Sequence, residues 1–229
     1  MLGLHALSAP SEIVLHSEII LAGLALIVLL NAGPESRNMR GIAITAAFIS
    51  ALVVSRVMLE PLPNIQPVTV ALLLIGATLG ARRGIGIAIL VTILSNAFLG
   101  TGIWTLFQAA GWSFVAWTGA MASGHLTNSE GELNMRNLVY FSIGAAIVFD
   151  LIVSMAALVA DPSPSVFLTY LIVGIPYDLI HIAGNVAFAA WLGPVLHRVL
   201  LRLHQRVQLV HLGGERRAGR RRRITARSL

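Results

Sequence analysis

The residues best suited to chemistry fall on two helical faces. In Gly174-Ile-Pro-Tyr-Asp-Leu-Ile-His-Ile-Ala-Gly-Asn185, Tyr177, His181 and Asn185 recur at every fourth position, with Asp178 one step round. Trp104, Gln108 and Trp112 repeat that spacing in Trp104-Thr-Leu-Phe-Gln-Ala-Ala-Gly-Trp112. Residues four apart share a helix face. An indole, amide, indole face suits a flat heterocycle, stacked by the rings and oriented by the amide. The phenol, carboxylate, imidazole and carboxamide of the other face offer hydrogen bonds and, in principle, proton transfer. Each face also has a plainer reading. Trp near a helix start commonly forms an interfacial belt, and Asp178 and His181, three apart, can satisfy one another with no ligand.

Other polar residues stand alone in apolar surroundings: Arg56, Asn96 and Asp150. A lone carboxylate such as Asp150 is expected to pair with Arg or His, or to be neutral. A hydrolase built on Ser113 with His181, or an acid–base pair of Asp150 and Asp178, is a second class of reading. Gly111-Trp-Ser-Phe-Val115 lacks the second glycine of a nucleophile elbow, however, and no His-Glu-x-x-His spacing is present.

The elements that must hold these residues are set by composition. Of 229 residues 56% are hydrophobic and 11% charged, and the mean hydropathy is +0.82. Soluble domains carry roughly 25% charge, so a soluble globular enzyme is excluded. Seven apolar runs of membrane-helix character are expected: Ile13–Ala32, Gly41–Leu59, Pro67–Ala81, Gly84–Phe98, Ile103–Gly124, Leu138–Ala160 and Val166–Leu196. The third and fourth are short, and Gly80-Ala-Arg-Arg-Gly84 between them reads as a hairpin turn. The fold class is therefore all-α, a polytopic membrane helix bundle. With no Cys there is no disulfide, thiolate metal site or thiol nucleophile.

All sixteen basic residues are Arg, and ten of them lie between Arg198 and Arg227. Placing that tail in the cytoplasm also puts Arg37, Arg40, Arg82, Arg83 and Arg136 there, so fifteen of sixteen Arg lie inside. Seven spans then put the N-terminus outside. Residues 1–36 hold no Arg or Lys, which argues against a signal peptide. The tail, including Arg220 to Arg223, is read as a topology signal touching anionic lipid. It lacks the interleaved aromatics of a single-strand binder, and no nucleic-acid partner is expected.

Ala43, Ala47, Ala51 and Ser55 form a small-residue stripe on the second span, either for close packing inside the bundle or for docking another helix. Gly76 and Gly80 repeat the device and are expected to pack internally. Glu60-Pro-Leu-Pro-Asn-Ile-Gln-Pro67 cannot continue a helix and is expected to be a stiff outer connection.

Arg40-Gly-Ile-Ala, Pro63-Asn-Ile-Gln-Pro67, the Gly80 and Gly84 turn, Ser95-Asn96 and Gly100-Thr-Gly-Ile-Trp-Thr-Leu-Phe-Gln108 with Trp112 together resemble the substrate-binding S components of energy-coupling factor (ECF) vitamin transporters. The likeness covers residues 40 to 196. It implies a six-helix core that binds a vitamin from outside and passes it inward, docked on a transmembrane coupling subunit driven by two ATPases. It implies no catalysis and no cofactor, and the loop pattern is similar to that of members for cobalamin or for pyrimidine precursors of thiamine, cobalamin being the favoured of the two. On that mapping the pocket takes Asn64, Gln66, Asn96, Trp104, Gln108, Trp112, Asp150, Tyr177, His181 and Asn185, and the coupling subunit docks on Ala43, Ala47, Ala51 and Ser55. Residues 1–36 become an extra transmembrane helix, 37–197 the core and 198–229 an Arg-rich cytoplasmic tail, in a bacterial cell membrane. An intramembrane hydrolase and a stand-alone secondary transporter are the alternatives.

Overall fold

The computed structural model describes residues 11–33 and 38–205, and the calls on residues 1–10 and on the tail beyond 205 lie outside it. Among the described residues the helices run in the order α1 Ser11–Leu30, α2 Met39–Met58, α3 Val68–Leu79, α4 Ala81–Leu99, α5 Trp104–Met121, α6 Ser123–Leu126, α7 Met135–Ser154, α8 Ala157–Ala160 and α9 Pro164–Trp191. Helical backbone continues over 193–205. The only extended pairing among the described residues is an isolated bridge between Thr127 and Leu133.

Among the described residues, five segments are long and apolar enough to cross a membrane: Glu12–Leu30, Met39–Met58, Ala81–Leu99, Met135–Ala160 and Pro164–Trp191. Large apolar side chains such as Ile20, Ile27, Ile172 and Trp191 point outward. Such a surface is costly in water and is solvated by acyl chains in a bilayer. The protein is a helical membrane bundle.

Two expected spans differ from that set. α3 has 12 residues, nine of them buried. At 1.5 Å per residue it is about 18 Å long, and because its neighbours enclose it, it does not itself have to match the hydrocarbon thickness. α5 is the other central helix, packed against α3, α4 and α7. Gly76 of α3 lies where a Cβ would strike the backbone of Ala116, and Gly119 of α5 where one would strike the backbone of Leu73. The two helices thus touch backbone to backbone, which only glycine permits.

Boundaries shift elsewhere too. The α3–α4 turn is a single residue, Gly80 at φ +84°, a left-handed conformation that glycine adopts without steric cost. α4 therefore begins at Ala81, and Arg82 and Arg83 sit in its first turn instead of forming the turn. The fifth expected span stops at Met121 before the short α6, and the sixth breaks at Met155-Ala156 before α8.

α1 packs on α4 through Ala25 and Leu29, the latter against Gly86. Only 6% of its apolar window is buried, so it is a peripheral helix facing lipid. One end of the bundle carries Arg40, Arg82, Arg83 and Arg136. The other carries the 59–67, 100–103 and 161–163 connections.

Candidate functional site

The connection after α2 folds over that second end. Asn64 adopts φ +59°, tolerable for Asn among L-residues, and its Nδ2 donates to the Tyr177 carbonyl at 3.2 Å. Ile65 meanwhile packs beside Gly184. The loop is therefore pinned to α9. Beneath it lies a cavity of about 540 Å³ between the C-terminal half of α7 and the N-terminal half of α9. Phe149, Asp150 and Ser154 form one wall, and Thr169, Tyr170, Tyr177 and Asp178 the other. Asn64 and Gln108 also line it.

Behind Gln108 is the most polar point of the core. Arg56, one turn from the end of α2, is 2% exposed. Its Nη1 donates to Ser95 Oγ and, at 2.7 Å, to Asn96 Oδ1. Nε donates to Gln66 Oε1 and Nη2 to Gln108 Oε1, both at 3.3 Å. The guanidinium carbon stands 4.6 Å from the centroid of the Trp112 ring, within cation–π range. No carboxylate pairs with Arg56 among the described residues. Its charge is held by four neutral acceptors and one ring face, the arrangement that makes a charge tolerable in lipid.

This network fixes the polarity of the amides around it. Arg56 can only donate, so Asn96 and Gln108 must both present oxygen to it. Asn96 Nδ2 then donates to Thr105 Oγ1 and Gln108 Oε1, each at 2.9 Å. Gln108 Oε1 thus receives two donors, while Nε2 has no protein acceptor among the described residues, and the residue lines the cavity.

Aromatic packing links the network to a second polar cluster. Trp112 stacks on Phe149 at 4.8 Å between centroids, and Phe149 meets the His181 ring edge-on at 5.5 Å. His181 Nδ1 lies 2.9 Å from both carboxylate oxygens of Asp150. A carboxylate accepts, so Nδ1 carries a proton, and Nε2 faces Thr69 Oγ1 at 3.2 Å. The order hydroxyl, imidazole, carboxylate is that of a relay. Thr69, however, is 1% exposed and does not line the cavity, so the pocket end of the relay is Asp150. Ser113 is not among the hydrogen-bond partners of His181.

Four expected pocket residues, Asn64, Gln108, Asp150 and Tyr177, do line the cavity. Gln66, Asn96 and Trp112 sit one layer back on Arg56, and His181 stands behind Asp150. Asn185 lies deeper, its Nδ2 donating to the Ser142 carbonyl at 3.2 Å across the α7–α9 seam. Trp104 folds its ring onto Gly102, where a Cβ would collide with it. On the outer face of α2, Ala43, Ala47 and Ala51 are exposed and Ser55 half-buried.

Residues 36–205 match the model of a family described as one of unknown function, DUF6580. The chain belongs to the DUF6580 family. The matched span begins beyond α1 and contains every residue of the cavity wall, the Arg56 network and the Asp150–His181–Thr69 relay. No curated protein and no solved structure matches the chain.

Proposed function

We propose that this DUF6580 protein is a membrane-embedded solute-binding subunit of an ECF-type uptake transporter in a bacterial cell membrane. The observation that carries the reading is the 540 Å³ cavity, capped by the Asn64 connection and lined by both aromatic rings and polar groups. Ligand pockets combine these features at volumes of roughly 300 to 1,000 Å³. The cavity lies towards the end lacking exposed Arg, and the positive-inside rule puts that end outside and the C-terminus in the cytoplasm. A solute would enter from outside beneath the 59–67 connection.

The stripe of exposed Ala43, Ala47 and Ala51 with half-buried Ser55 supports docking of a transmembrane coupling subunit, since none of the protein's own described helices covers the three alanines. Two ATPases acting through that subunit would supply the energy. The cavity volume favours a drug-sized vitamin or precursor over a corrinoid such as cobalamin. Binding is favoured over hydrolysis because the Thr69 hydroxyl, the one on His181, is sealed from the cavity.

Native mass spectrometry of the purified chain, as isolated and after adding a vitamin panel to the emptied protein, tests the reading. A retained or added solute at one-to-one stoichiometry, returned chemically unchanged, is the expected result. Conversion of the solute would favour the hydrolase, and uptake by the chain alone, driven by an ion gradient, the secondary transporter.

A further inference from the structure

The cavity has a definite electrostatic character. Of the 14 residues lining it, Asp150 and Asp178 are acidic and none is basic. Asp150 is held from behind by His181. Asp178 receives no hydrogen bond from any described residue, although it lies inside a membrane-spanning helix, where an unpaired charge is costly. Phe149, Tyr170 and Tyr177 add ring faces, the other surface that attracts a cation. Arg56 opposes a cation, but it sits behind Gln108 and does not reach the cavity, so the carboxylates on the wall act at shorter range.

Gln108 marks this space as a binding site and not a mere gap. It lines the cavity while only 4% exposed, its oxygen is taken by Arg56 and Asn96, and its Nε2 donates to no described residue. An amide nitrogen can only donate, and a ligand acceptor in the cavity would take up that donor.

We infer that the cavity selects an organic cation, with Asp178 and Asp150 facing its positive group and Gln108 Nε2 donating to an acceptor elsewhere on the same molecule. The inference rests on the solute-binding reading and gives its substrate class. Because the chain has no Cys, Ser154→Cys or Thr169→Cys would each place a single thiol in the cavity wall. The full chain, in nanodiscs of neutral phosphatidylcholine, would be reacted with cationic and anionic methanethiosulfonate reagents of similar size. Each rate would be divided by that of the same reagent with a free small thiol.

The expected cation-to-anion ratio is above about threefold and falls towards one when Asp178→Asn or Asp150→Asn is added. A ratio of about three or less, or one that both carboxylate variants leave unchanged, overturns the charge assignment while leaving the cavity as a solute site. Thiols that react with neither reagent in the folded protein but do so after denaturation would overturn the cavity itself, and with it the solute-binding reading.

Discussion

Arg56 Nη2 donates to Gln108 Oε1 at 3.3 Å, and this contact decides which way the amide faces the cavity. The guanidinium has no acceptor capacity, so it forces oxygen inward and the amide nitrogen outward. Polarity set on α2 is thereby carried through α5 to the cavity wall.

Arg56→Lys is expected to damage both stability and binding. An ammonium keeps the charge but lacks the planar fork that reaches Gln66, Ser95, Asn96 and Gln108 together. Each buried acceptor left unpaired costs about 1 to 3 kcal/mol. The Gln108 amide, then held only by Asn96 Nδ2, is freer to turn its oxygen to the cavity, weakening solute affinity by up to about tenfold. Thermal unfolding of the purified chain and titration with the identified solute check the two effects. An unchanged affinity in a folded Arg56→Lys protein would separate Gln108 orientation from binding.

The glycines between α3 and α5 give a prediction about the frame. Gly76→Ala and Gly119→Ala each put a methyl into the facing backbone, which cannot yield as a side chain can. Overpacking of this kind costs about 1 to 3 kcal/mol. Both variants should unfold at lower temperature. Gly144→Ala, with nothing within 4 Å of the new methyl, should not.

Much of this frame was legible in the sequence, and the reasons are local. Apolar runs punctuated by Pro61, Pro63, Pro67 and Gly80 give the helix order, because chain-breaking is a property of those residues themselves. The cavity was half legible. The face Tyr177, His181, Asn185 was read towards the C-terminal half of α9, where His181 and Asn185 are buried against α7. The wall runs the other way, through Ser165, Thr169, Tyr170, Gly174 and Tyr177. That stripe also repeats at about four residues, but serine, threonine and glycine in an apolar run do not announce a site. Arg56 as a hub was not legible. Its partners Ser95, Asn96 and Gln108 lie 39, 40 and 52 residues away, and no local spacing reports a contact among three helices.

Asp150 and His181 are expected to be energetically coupled. His181→Leu strands a carboxylate with no donor, whereas Asp150→Asn leaves a neutral acceptor for Nδ1. The first should therefore destabilise more than the second. The double variant should recover part of the loss, with a coupling energy of about 0.5 to 3 kcal/mol in a double-mutant cycle. Additive losses would mean that the 2.9 Å contact contributes little.

On the proposed ECF reading, the exposed stripe on α2 should separate binding from transport. Ala47 is exposed and points away from α4, the helix on which α2 chiefly packs, so Ala47→Leu adds an isobutyl group to the outer surface without touching the cavity or Arg56. In lipid that substitution costs the isolated chain almost nothing, since acyl chains solvate Leu as readily as Ala. Against a partner helix held at close range, however, the extra atoms prevent approach. Solute affinity and unfolding temperature should match those of the unmodified chain, while uptake in cells carrying the coupling subunit and ATPases falls to background. Wild-type uptake in Ala47→Leu would remove this face from the docking surface. Loss of binding together with uptake would instead tie the stripe to the cavity through the bundle.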